Sequence, residues 1–274
     1  MWKRMRRNPL IWVGGVIVLL MVLMALFAPQ LAPIDPTLQN LPKRLSPPGT
    51  GQYWLGTDAF GRDVWSRLVY GSRISLQVGL ISVSIGAAGG LLLGLASGYF
   101  GGWIDMLAGR VMDVIMAFPS ILMALAIVSV LGPSLENAII AIGITSIPRF
   151  FRVVRGAVLQ VREREFVIAA QALGARDLRV MLRHVLPNTL SPVIVISSLG
   201  IATAILVEAS LSFLGLGVAP PTPTWGSMIT DGKQYIDLAP WISVYSGLAT
   251  MVAVLGFNLL GDGLRDVLDP KMKA

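Results

Sequence analysis

Very few side chains in this sequence could make or break a bond. There is one histidine, His184, and no cysteine. Thiolate nucleophiles, thiolate metal sites and disulfides are therefore excluded. A lone histidine cannot complete a paired-histidine zinc site, and no glycine-rich loop carries the lysine that cradles phosphate. Serines such as those in "LSFLG" have no histidine base beside them. The residues predict no catalysis, no metal and no cofactor; if ATP is used, another chain binds it. What remains are two carboxylates in apolar surroundings, Glu208 in "ILVEASLSFLGLG" and Asp113. An ionisable group inside a membrane is by default a functional site. Both lie near the ends of apolar runs, where water is close. Glu208 reads as a gate or a helix-packing residue, and Asp113 as an interfacial charge.

The other unusual feature is the charged stretch "EREFVIAAQALGARDLRVMLRHVLPNTL". It is good helix sequence, divided by Gly174 and expected to stop at Pro187. Residues 166–173 place Phe166, Ala169, Ala170 and Leu173 on one side at three- and four-residue spacing. A small apolar face between charged flanks suits a groove in a partner. A helix packed only on its own bundle is the competing reading.

These residues need a scaffold, and the composition names its kind. The chain is 54% hydrophobic and 14% charged, with mean hydropathy +0.72. Soluble domains carry roughly 25% charge, so an all-α polytopic membrane protein is expected. Six spans can be drawn, at 10–28, 74–98, 111–131, 138–154, 190–211 and 242–260. The first is 19 residues, roughly 28 Å of helix, which matches a hydrocarbon core. It is read as a retained span; a cleaved signal peptide would have a shorter apolar region. The fourth contains Pro148, Arg149 and Arg152, so its end must approach an interface. With the N-terminus inside, sixteen Lys or Arg residues fall on inside segments and six on outside ones. The positive-inside rule then puts both termini in the cytoplasm, the loops 29–73 and 212–241 outside and 155–189 inside. The net charge of +7 reports this orientation and not nucleic acid, because no basic patch interleaved with aromatics occurs.

Within the second span Gly86, Gly90, Gly94 and Gly98 recur every four residues, one step after Ser82. Such a row is a groove for close helix approach. It serves a bundle that slides or one that is simply well packed. In the first outside loop Asp58/Arg62 and Asp63/Arg67 sit four apart, as ion pairs on a helix face do. With Trp54, Phe60, Trp65 and Leu68 they suggest an amphipathic helix at the outer membrane interface. It would be either an anchor or a docking site for a partner.

The charged stretch resembles the cytoplasmic "EAA" loop of the membrane subunits of ATP-binding-cassette importers. The pattern runs through Ala169, Ala170, Gly174 and "HVLPN", His184 to Asn188. Its glutamate is Ile168 here, which removes a charge-based contact from that position. "LGTDAFGRDVWSRLVYGSRISL", "EASLSFLGLGVAPPTPTWGSMI" and the ending "FNLLGDGLRDVLDP" are similar to the dipeptide, oligopeptide and nickel permease branch, in particular its C-type subunit. The resemblance implies a type I importer permease fold with six transmembrane helices. It implies a 1–73 segment holding an added helix and an outside loop, a five-helix core at 74–262 and a 263–274 tail. The implied partners are a second, related permease subunit, two cytoplasmic ATPases and an extracytoplasmic binding protein. Glu165, Phe166, Ala169, Ala170, Leu173, Gly174, His184, Pro187 and Asn188 would form the contact with an ATPase. The implied substrate is a di- or oligopeptide, with nickel chelates, glutathione or oligosaccharides as alternatives. A different class, a carrier driven by an ion gradient, would want titratable groups near the midplane.

Overall fold

The structure is a computed structural model that describes residues 8–268. The basic residues Lys3, Arg4, Arg6, Arg7, Lys271 and Lys273 lie outside the described residues, as does the final "DP" of the ending quoted above. Among the described residues the chain is helical, with only two isolated β-bridges, Thr50 with Tyr53 and Thr57 with Asp63. Apart from single turns at Ala28–Leu31 and Leu41–Lys43, the helices are α1 (Pro9–Leu26), α2 (Val64–Phe100), α3 (Gly102–Met116), α4 (Ser120–Leu131), α5 (Leu135–Arg162), α6 (Glu165–Ala172), α7 (Asp177–Phe213), α8 (Trp225–Lys233) and α9 (Trp241–Leu268). Five of them, α1, α2, α5, α7 and α9, are long and apolar enough to cross a membrane.

The sixth expected span, at 111–131, is not one helix. It is the pair α3 and α4, bent by 87°. The break falls at Phe118–Pro119: proline has no N–H to give, and its ring pushes the preceding residue out of helical geometry. The second span is also longer than expected. Helix α2 runs 37 residues from Val64, so Trp65 and Leu68, expected on an interfacial helix, lie instead in the first turns of the span, while Trp54 and Phe60 lie in the turns before it. Gly71 does not interrupt it. Its missing Cβ seats the Trp225 ring, whose Cδ1 would lie 3.1 Å from one.

Pro187 does not end the charged stretch either. The chain widens into a π-turn at Met181–Val185, where the Leu186 N–H bonds the Met181 carbonyl five residues back. The wider turn gives the proline ring room and lets α7 continue to Phe213. The Asn188 amide then donates to the His184 carbonyl at 2.7 Å.

Glycine decides which helices meet. Cβ atoms added at Gly94 or Gly98 would lie 2.9 and 2.8 Å from the Cβ atoms of Val154 and Val158 on α5. Gly86 and Gly90 lie equally close beneath Ser146 and Phe150. The α2–α5 pair is thus in near-backbone contact, with Ser82 donating to the Ile139 carbonyl at 3.0 Å. Helix α7 packs across it through Ile201 and Ile205, beside Gly79. Helix α1 lies on α9, where Gly14 would meet the Leu260 N–H and Gly256 the Ile17 side chain. It is capped by Asn8, which accepts from the Leu10 N–H at 2.9 Å, with proline at the first helical position.

Candidate functional site

The loop between α5 and α7 carries the expected contact residues. Helix α6 starts at Glu165 and sits on the bundle through Val167, which is fully buried. Its outer side presents Phe166 (46% exposed), Ile168 (54%) and Ala169, and it is followed by Leu173, which is 88% exposed. Soluble surfaces rarely gather large apolar side chains without a partner. Ala170 is not part of that outward face. It is half-buried and packs against the core beside Val167, because residues three apart share a side of a helix.

Gly174 closes α6 at φ +80°. Its N–H bonds the Gln171 carbonyl at 2.9 Å, and the next N–H, of Ala175, reaches back to Ala170 at 3.1 Å. This is a left-handed helix stop, which glycine makes without a Cβ penalty. His184 is half-buried in the π-turn, while Pro187 and Asn188 are exposed beyond it. Phe166, Glu165, Pro187, Asn188 and Arg265 line a cleft of ≈ 1360 Å³ between α5, α7 and α9 at the ends nearest α6.

A set of polar contacts that sequence spacing does not reveal ties this loop to the bundle. The Tyr99 hydroxyl, at the end of α2, donates to Asp177 at 2.9 Å and accepts from Gln171 at 3.3 Å. Arg155 forks onto Asp105 of α3, at 2.5 and 2.6 Å. Arg152 meets Asp113 at 2.9 Å, and Arg162 donates to the Gly98 carbonyl at 3.0 Å. These partners are 39 to 78 residues apart. No local pattern could pair them.

The expected outer-interface pairs are rearranged. Asp58, Arg62, Asp63 and Arg67 are all at most 4% exposed, so they are not the surface of an interfacial helix. Asp58 and Arg62 sit in a turn, where the Asp58 carboxylate accepts from Arg62 Nε at 2.6 Å and from the Phe60 and Arg62 N–H groups, both at 2.9 Å. Asp63 is instead the N-cap of α2, accepting from the Ser66 N–H at 2.9 Å. Arg67 turns to Asp58, at 3.5 Å, and to Asp231 of α8, at 3.9 Å. Desolvation pushes the Asp231 carboxyl above its ordinary range, against the pull of Arg67 and Arg62. The cluster pins the loop before α2 to α8; Trp241 adds a bond from its indole N–H to the Thr57 carbonyl at 3.2 Å.

Glu208 is 1% exposed near the C-terminal end of α7. It accepts from Ser212 at 2.8 Å, one residue from Ala209, whose backbone abuts Gly226 of α8. Asp113 is exposed and paired with Arg152.

Residues 90–274 match the family described as binding-protein-dependent transport system inner membrane component, and residues 1–48 match the N-terminal TM domain of oligopeptide transport permease C. The chain is 50% identical over 273 residues to the dipeptide transport system permease protein DppC of Alkalihalophilus pseudofirmus, covering all of this chain and 90% of that protein. It is 46% identical over 272 residues to the glutathione transport system permease protein GsiD of Escherichia coli, covering 99% and 90%. Its fold is that of a chain of the MetNI methionine ABC transporter in inward-facing form, with a TM-score of 0.61 and 18% identity over 74% of this chain and 96% of that one.

Proposed function

The chain belongs to the binding-protein-dependent transport system inner membrane components, and from that premise we propose that it carries di- or oligopeptides inward while partner ATPases supply the energy. It is a multi-pass inner-membrane permease of the dipeptide and oligopeptide branch. The observation that carries the substrate is the 50% identity to a dipeptide permease across the whole chain. The glutathione relative supports a second reading, in which a small peptide with a γ-linkage is carried.

The division of labour follows from the side chains. The sequence offers no glycine-rich loop with the lysine that cradles phosphate, so on this reading the movement is supplied by partner chains. An extracytoplasmic binding protein delivers the peptide to the outside loops 29–73 and 212–241, a second related permease completes the path, and two ATPases close and open it from the cytoplasm. Residues 74–262 form the working core, 1–73 add a helix and the outer loop, and 263–274 form a tail. The basic asymmetry of the loops supports both termini in the cytoplasm.

Helix α6 is the joint with an ATPase. Its outward side, Phe166, Ile168, Ala169 and Leu173, is apolar and unpartnered among the described residues, and Glu165, Pro187 and Asn188 border it across the cleft. Two partner-facing residues are small or absent of side chain: Ala169 permits close approach and Gly174 turns the chain away. His184 and the π-turn transmit displacement into α7. At the other end, Glu208 and the row Gly86, Gly90, Gly94 and Gly98 hold the packing that must shift when the bundle opens. The buried Asp58, Arg62, Asp63 and Arg67 keep the outer loops in register for the binding protein.

Reconstitution tests this reading. The chain with its partner permease, both ATPases and the binding protein is expected to accumulate a labelled dipeptide in vesicles when ATP is present. Omission of the ATPases or the binding protein is expected to stop it. Uptake that survives without ATPases and collapses with an ionophore would show an ion-driven carrier instead. A lone cysteine at Phe60, which is 47% exposed, reports orientation, and labelling only from the cytoplasmic side would overturn the topology.

A further inference from the structure

Helix α5 carries Arg149, Arg152, Arg155 and Arg162. Three of them are engaged: Arg152 by Asp113, Arg155 by Asp105 and Arg162 by the Gly98 carbonyl. Arg149 has no hydrogen bond or ion pair among the described residues. It sits midway along the helix, directly after Pro148, which leaves the Ile144 carbonyl without its usual donor. A guanidinium cannot shed its proton, so this cation must meet water or an anion.

Its surroundings are hollow on two sides. Arg149 lines a cavity of ≈ 390 Å³ bounded by α2, α5, α7 and the elbow between α3 and α4. It also lines the ≈ 1360 Å³ cleft at the inner end. It is the one charged residue in the wall of the smaller cavity and, among the described residues, the only one in that wall that also lines the cleft. The smaller volume lies within the range of small-molecule sites. The hydroxyls around it spend their protons on backbone carbonyls: Ser82 of α2 on Ile139 of α5, and Thr145 on Ile142, Ser146 on Gly143 and Thr203 on Leu199 within their own helices, at 2.7–3.1 Å. Each oxygen therefore keeps lone pairs for the cavity. The wall offers one fixed cation and several acceptors, the complement of a small zwitterion with a free carboxylate and an ammonium.

We propose that Arg149 receives the carboxylate of the translocated substrate at the passage between the cavity and the cleft. This rests on the importer reading above and narrows its substrate to molecules with a free carboxylate. Arginine suits the task because its planar fork matches a carboxylate in two bonds. The bond must also be temporary, and the open, wet setting keeps it weak.

The chain has no cysteine, which gives a direct test in the assembled transporter. A Thr203→Cys variant places one thiol in the cavity wall. Its modification rates by an anionic and a cationic methanethiosulfonate are compared with Arg149 present and in Arg149→Gln. The ratio of anionic to cationic rate is expected to fall by about fivefold in the Gln variant, as loss of one nearby charge dictates, and to be largely kept in Arg149→Lys. Alanyl-alanine is expected to slow labelling by the anionic reagent, its C-terminal amide much less, and neither to do so in Arg149→Gln. An unchanged ratio would place the guanidinium outside the cavity and overturn the proposal. So would a ratio that collapses when phosphatidylglycerol is added to neutral-lipid vesicles, which would assign the guanidinium to a lipid phosphate. Dipeptide uptake by the unmodified transporter, measured in the same vesicles, separates the two readings. Its absence counts against peptide import, while the labelling ratio judges Arg149.

Discussion

Replacing Gly174 by asparagine, alanine and valine in turn separates backbone conformation from side-chain bulk at the end of α6. No atom lies within 4 Å of a Cβ built there, so the Cβ that all three share meets open space. What differs is tolerance of φ +80°. Asparagine visits the left-handed region readily, alanine does so at about 1–2 kcal/mol, and a β-branched residue is a true outlier. The turn is closed by two backbone bonds, from Gly174 and Ala175, worth about 0.5–1.5 kcal/mol each. Leu173 beside it is 88% exposed, so little packing can absorb the penalty. A loss of 1–2 kcal/mol lowers the population of the native turn by about 5–30-fold. In reconstituted vesicles, uptake per ATP hydrolysed is expected to stay within about twofold of wild type in Gly174→Asn, to fall by up to that factor in Gly174→Ala and to fall furthest in Gly174→Val. Membrane insertion is expected to be normal in all three. Equal uptake across the series would refute the argument that the left-handed turn positions α6.

Other consequences are simpler to read. Gly94→Val must push α2 from α5, because its Cβ would lie 2.9 Å from both the Phe151 carbonyl and the Val154 Cβ. Overpacking of this kind costs about 1–3 kcal/mol, and a lower thermal midpoint is expected beside an unchanged Gly109→Val, whose site is open. Asp58→Asn removes the one deeply buried carboxylate that, among the described residues, pairs with Arg62 and Arg67, whose side chains are 5% and 3% exposed. Stranding buried charge costs about 3–5 kcal/mol, so loss of the folded outer loop to proteolysis is expected. Asp231→Asn is expected to cost far less, about 0–1 kcal/mol, because Asp231 is 47% exposed and stands 3.6 and 3.9 Å away.

The apolar runs made α1, α5, α7 and α9 legible, since burial in lipid demands length and hydrophobicity and little else. The four-residue glycine row was equally plain, and the structure puts α5 against it. Three features were not readable because their cause is local geometry overridden or completed elsewhere. Pro119 was counted inside a span, yet it bends the chain by 87°. Pro187 was taken as a stop, yet the π-turn before it lets the helix pass. The spacing of Asp58/Arg62 and Asp63/Arg67 suggested a helix face, yet the acceptor that completes the cluster, Asp231, is more than 160 positions away in α8. In α6, spacing put Ala170 with the residues expected to face a partner, whereas Val167 draws it inward. Arg149 carried no local signal, because its distinction is the absence of a partner that its three neighbours possess.

The most direct measurement is a disulfide cross-link from α6 to the ATPase. Ala169→Cys, on the exposed side of α6, is the sole thiol in this chain. It is paired with single cysteines placed around the surface groove of a cysteine-free ATPase, with Phe60→Cys in the outer loop as control. The account predicts that oxidation links Ala169→Cys to the ATPase, that Phe60→Cys stays unlinked, and that uptake stops on linking and returns on reduction. No link from Ala169→Cys at any groove position, or undiminished uptake in the fully linked complex, would contradict it.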